Sequence, residues 1–103
     1  GGRIALDGRH PLSGAAVVQL SPAFNEANGI DAFETGVVVF EVGRRAPARY
    51  FGFRPGDKIV EIAGVQIEDV EDLEGVLDAN EGARLWPVEI IRGGERQAVT
   101  LRL

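Results

Sequence analysis

The chain has 103 residues, 45% hydrophobic and 26% charged, which is enough for one domain with one modest core. A formal net charge of −5 argues against nucleic acid or an acidic membrane surface as a partner, and no stretch approaches the roughly 20 apolar residues of a membrane-spanning helix. Without Cys there is no disulfide, no thiol nucleophile and no Cys-based metal site.

The start at Gly1-Gly2-Arg3 and the absence of Met mark the sequence as an expected excerpt of a longer protein. Ile4-Ala5-Leu6, closed by Asp7-Gly8, predicts a short strand, and Arg9 to Gly14 a loop. Ala15 to Leu20 predicts a second strand. Ser21-Pro22 supplies a hydroxyl N-cap followed by Pro at the first helical position, and Gly29 a stop, so a short helix is expected over 22–28. Val37 to Val42 is β-branched and apolar, as in a strand buried on both faces. Ala46 to Phe51 allows one or two helical turns, and Arg54-Pro55-Gly56-Asp57 a tight turn.

Lys58 to Ile62 and Val65 to Ile67 predict paired strands around Ala63-Gly64. Asp69 to Ala79 is the clearest helix: Val70, Leu73, Val76 and Leu77 share a face, Asp69 caps it, and acids crowd its positive end. Gly75 at its middle suggests close packing or a bound backbone. Trp86 to Ile91 and Gln97 to Leu103 predict a hairpin around Gly93-Gly94, with Val99, Leu101 and Leu103 on a core face. The order β-loop-β-α-β-α-β-β-α-β-β predicts a mainly β, α+β domain. Its five- to six-stranded antiparallel sheet would curl into a small sandwich or partial barrel with two or three short helices.

No catalytic constellation emerges. His10 is the single His, and although Ser13 follows it closely, nothing supplies an orienting acid or an oxyanion hole. Between Lys58 and Arg84 every charged residue is acidic, but the spacing lacks a calcium-loop pattern, so no metal and no cofactor is expected. Arg44, Arg45, Arg49 and Arg54 form a basic cluster whose simplest reading is a solvated surface, with docking on another domain or a phosphate as the alternative.

The block Gly36-Val37-Val38-Val39, Ala46 to Gly52 and Phe53-Arg54-Pro55-Gly56-Asp57-Lys58-Ile59-Val60-Glu61-Ile62-Ala63-Gly64-Val65-Gln66-Ile67 resembles the centre of bacterial PDZ domains. Asp69-Val70-Glu71-Asp72-Leu73 resembles the start of their groove helix. His10-Pro11-Leu12-Ser13-Gly14-Ala15 with Leu20-Ser21-Pro22-Ala23 resembles the front of PDZ domains attached to Do-type (HtrA) serine proteases, in the circularly permuted bacterial strand order. Two positions depart from the pattern: Ala63 stands where Asn usually precedes the turn Gly, and Ser13-Gly14-Ala15 is less apolar than the usual binding loop.

The resemblance implies a non-catalytic module that adds an extended or C-terminal peptide to the strand beginning Ala15, Ala16, Val17, Val18. Val70, Leu73, Glu74 and Leu77 would face that peptide from the helix. The loop Leu12, Ser13, Gly14, Ala15 would offer backbone N–H groups to its carboxylate, with Arg9 as a candidate charge. The acidic residues near the helix would bias the groove against acidic peptides. Implied partners are peptide or unfolded-protein segments and other domains of a homo-oligomeric periplasmic parent protease, with no nucleic acid and no membrane insertion. Two alternatives stay open: an assembly module with no working groove, and the PDZ domain of another processing protease or a secretion component.

Overall fold

Apolar runs separated by Gly- and Pro-containing turns become one antiparallel sheet in the computed structural model, which describes residues 2–103. The elements are β1 (Ile4–Ala5), β2 (Ala15–Gln19), α1 (Pro22–Ala27), β3 (Val37–Val42), α2 (Pro47–Tyr50), β4 (Lys58–Ile62), β5 (Val65–Gln66), α3 (Val70–Ala79), β6 (Leu85–Arg92) and β7 (Glu95–Arg102). Their order matches the sequence reading. Five strands of five to eight residues carry the sheet, and β1 and β5 add two residues each. The sheet is open, with spatial order β1-β2-β3-β4-β6-β7 and β5 paired to β4.

Local chemistry sets the boundaries. The Ser21 hydroxyl accepts from the Phe24 N–H at 3.2 Å and starts α1, and the Asp69 carboxylate accepts from the Asp72 N–H at 2.7 Å and starts α3. Ala63 and Gly64 both take positive φ, 50° and 82°, so the β4–β5 turn needs a left-handed conformation at a residue that carries a Cβ. Leu12, Val17, Val37, Val39, Ile59, Ile62, Leu73, Leu77 and Trp86 form the heart of the core. The Trp86 indole N–H donates to the Ala83 carbonyl at 2.9 Å, so its burial leaves no polar group unpaired.

Three expectations are corrected. Val37 and Val39 of β3 are buried but Val38 and Phe40 are half-buried, because the outer face is only partly covered. Val99 and Leu103 are exposed and only Leu101 packs against the core, because β7 is an edge strand beyond β6. Gly75 is exposed, and a Cβ there would meet nothing within 4 Å, so neither close packing nor an approaching backbone explains it.

One polar contact joins distant parts of the sheet. Asp57 is 1% exposed. Its two carboxylate oxygens accept from Arg92 Nε and Nη2 at 2.8 and 2.7 Å, and one of them also accepts from the Arg54 N–H at 2.9 Å. The second Nη2 bond, to the Gly52 carbonyl at 2.9 Å, ties the end of β6 to the chain just after α2. Hydrogen bonding to Asp57 raises the Arg92 guanidinium above its ordinary value and outweighs the effect of desolvation. Asp57→Ala is expected to cost about 3 kcal/mol, read from urea unfolding, because it strands a partly buried cation and a turn amide.

Candidate functional site

β2 and α3 frame the site that the sequence suggested. Ala15, Ala16, Val17 and Val18 are all buried, so β2 is covered on both faces. Across from it, α3 buries Leu73 and Leu77, half-buries Val70 and exposes Glu74. The Gln19 side chain accepts from the Val70 N–H at 3.1 Å and ties the far end of β2 to the first turn of α3. That bond was not legible in the sequence, where a Gln ending an apolar run reads as solvated.

The outer edge of β2 is occupied. β1 pairs with it antiparallel, Ile4 opposite Val17 and Ala5 opposite Ala16. The pairing runs on past β1: the Leu6 N–H donates to the Ala15 carbonyl at 2.9 Å, and the Gly14 N–H donates to the Leu6 carbonyl at 2.8 Å. Strand alternation turns Ile4 and Leu6 toward the core and leaves Ala5 exposed. Leu6 is 5% exposed, belongs to the same buried cluster as Leu12, Leu73 and Leu77, and lines a cleft with Glu74, Leu77 and Asp78 of α3. At the other end, the Arg3 guanidinium lies 4.4 Å from the centre of the Phe40 ring and pairs with Glu41 at 3.0 Å, reaching across β2 to β3. The sequence named a short strand here but gave no sign of its partner.

The loop before β2 has no spare amide. The N–H groups of Leu12, Ser13, Gly14 and Ala15 donate to His10 Nδ1, the His10 carbonyl, the Leu6 carbonyl and the Leu12 carbonyl. Gly14 is required twice over: its φ is 85°, and a Cβ would sit 2.3 Å from Ala46 Cβ. Arg9 is held at the far end of α3, where its N–H donates to Glu81 at 3.3 Å, its carbonyl accepts from Gly82 and its guanidinium lies beside Gly82.

His10 is buried against the edge of Trp86. Its Nε2 lies 2.8 Å from the Asp7 carbonyl, which only accepts, so Nε2 carries the proton and Nδ1 receives the Leu12 N–H. Both ring nitrogens are committed to backbone, which leaves none to serve Ser13 as a base. The imidazole instead clamps the turn between β1 and the loop. His10→Phe is expected to lower stability by about 2 kcal/mol in thermal or urea unfolding, since it leaves a buried amide without its acceptor.

With this geometry in view, the similarities to known proteins are specific. The family model of the PDZ domain matches residues 11–103. The chain is 26% identical over 101 residues to a Synechocystis sp. protein named as a serine protease, HhoB, covering 90% of this chain and 24% of that protein. Among solved structures, it superposes on the HtrA-type protease AlgW with a decapeptide at a TM-score of 0.68 and 26% identity, covering 86% of this chain and 27% of that one. The HtrA3 PDZ domain bound to the phage-derived ligand FGRWV shares the fold at a TM-score of 0.66 and 19% identity, covering 98% and 84%. The chain thus spans about a quarter of the first two relatives and most of the third. On the family match and the shared fold, this chain belongs to the PDZ domain family.

Proposed function

We propose that this PDZ domain takes up extended polypeptide by strand addition to β2, alongside α3, as the substrate-presenting or regulatory module of a Do-type serine endopeptidase. The observation that carries the reading is that residues 4–6 of the chain already lie on β2 in this mode, antiparallel, with Leu6 buried beside α3 and its carbonyl held by the Gly14 amide. Backbone bonds of about 1 kcal/mol each and one buried side chain of about 2 kcal/mol, less the cost of ordering the peptide, give micromolar or weaker affinity. Such affinity suits a module that samples many unfolded clients. The likeness to HhoB and AlgW supports a protease parent; a homo-oligomeric, periplasmic setting for that parent is part of the proposal. Glu74 and Asp78, beside Leu6, support a groove that disfavours acidic peptides.

A second reading is a module that holds the parent's assembly together and binds no peptide. What favours it is the same occupancy: every amide of the Leu12–Ala15 loop is already bonded. An NMR titration of the labelled chain with peptides bearing free C-termini separates the two. Resonance shifts clustered at Gly14 to Gln19 and Val70 to Leu77 are expected, larger for basic than for acidic versions of one peptide at low salt. No shifts at millimolar peptide would favour the assembly role.

A further inference from the structure

The segment Arg3–Leu6 is placed differently from the rest of the chain. It lies N-terminal to residues 11–103, which match the PDZ family model, although the superposition on the HtrA3 PDZ domain covers 98% of the chain and takes in β1. β1 covers the one edge of β2 that β3 leaves open. It satisfies the Gly14 amide and fills the apolar end of the groove with Leu6.

We propose that this segment is a built-in ligand of the groove, so that the domain is self-occupied and takes up a polypeptide only by exchange with Arg3–Leu6. The inference rests on the reading of β2 and α3 as a peptide groove and adds its regulation and its substrate class. The built-in ligand continues past Leu6 into Asp7 and Gly8, so the site accepts a backbone carbonyl where a terminal carboxylate would otherwise sit. The matching substrates are internal extended segments with two aliphatic side chains two residues apart, as Ile4 and Leu6 are. A competing ligand sees an affinity reduced by the fraction of molecules in which β1 is released, and anything that pulls β1 away raises that affinity.

Two attachments determine that fraction. Leu6 anchors the groove end, and Arg3 anchors the other end on Phe40 and Glu41. The Arg3 contacts are solvent-exposed and therefore the weaker of the two. Release is thus expected to begin at Arg3 and to be complete only when Leu6 leaves its site.

The test uses the whole chain and, as probe, a labelled peptide of its own residues 2–8, Gly-Arg-Ile-Ala-Leu-Asp-Gly. Leu6→Ser is expected to bind the probe on the order of tenfold more tightly than the unaltered chain, because the released fraction rises. A second variant, Ala5→Cys with Ala16→Cys, keeps the test independent of any loss of stability in the first. These positions face each other across β1 and β2, and the chain has no other Cys to interfere. Reduced, this variant is expected to bind the probe as the unaltered chain does; oxidised, not at all. Equal probe affinity for Leu6→Ser and the unaltered chain, or binding that survives oxidation, would overturn self-occupancy while leaving peptide binding intact. A folded Leu6→Ser chain that binds neither the probe nor any other peptide would overturn both it and the groove reading beneath it.

Discussion

Gly14 is the joint on which the site depends. Its N–H donates to Leu6, its carbonyl accepts from Gly43, and its missing side chain leaves room for Ala46. Three separate parts of the chain therefore meet at one residue with a φ of 85°: the N-terminal strand, the entry to β2 and the turn into α2. Any larger side chain would lose the left-handed backbone and the close approach together. The loop keeps its shape because its amides are satisfied internally, with His10 supplying the acceptor that the backbone alone lacks. The loop is thus closed on the Leu6 carbonyl.

The energy balance makes that closure reversible. Burying Leu6 and part of Ile4 contributes about 3 kcal/mol, and the backbone bonds at Leu6 and Gly14 about 1 kcal/mol each. Fixing five residues from Arg3 to Asp7 costs about 1–2 kcal/mol for each. The Arg3 contacts with Phe40 and Glu41 are exposed and contribute little. The gain lies at the low end of that cost, so the strand is held only marginally and can exchange even though Leu6 reaches the core cluster. The contrast with Asp57 and Arg92 is direct: that pair is bidentate, its acid is fully buried, and it fixes the far side of the sheet. The fold is thus firm around β4 and β6 and adjustable at β1.

Most of the framework was legible because its signals are local. Ser21-Pro22, Asp69 and the Pro55-Gly56 turn each act within a few residues, and each stands where the sequence placed it. The resemblance pointed to β2 and α3, and Leu73 and Leu77 are buried and Val70 partly buried on one face of α3, as its apolar spacing required. What the sequence withheld is long-range. The pairing of Ile4 with Val17 links positions thirteen apart through a loop, and no periodicity in either strand reveals its partner. The exposure of Val99 and Leu103 follows from β7 lying at an edge, which alternation alone does not report. His10 falls in a stretch read as a loop, and its burial depends on Trp86, far along the chain.

The most direct measurement is amide hydrogen exchange at Gly14 in the intact chain. Gly14 is exposed, and its N–H has one acceptor, the Leu6 carbonyl, so protection there reports β1 on β2 and little else. With β1 seated on β2, Gly14 exchanges more slowly than the amides of open loops, with Leu6 exchanging in step with it and both well ahead of Val39 in the core. Exchange of Gly14 at the rate of an unstructured residue would contradict that seating and leave the β2 edge open.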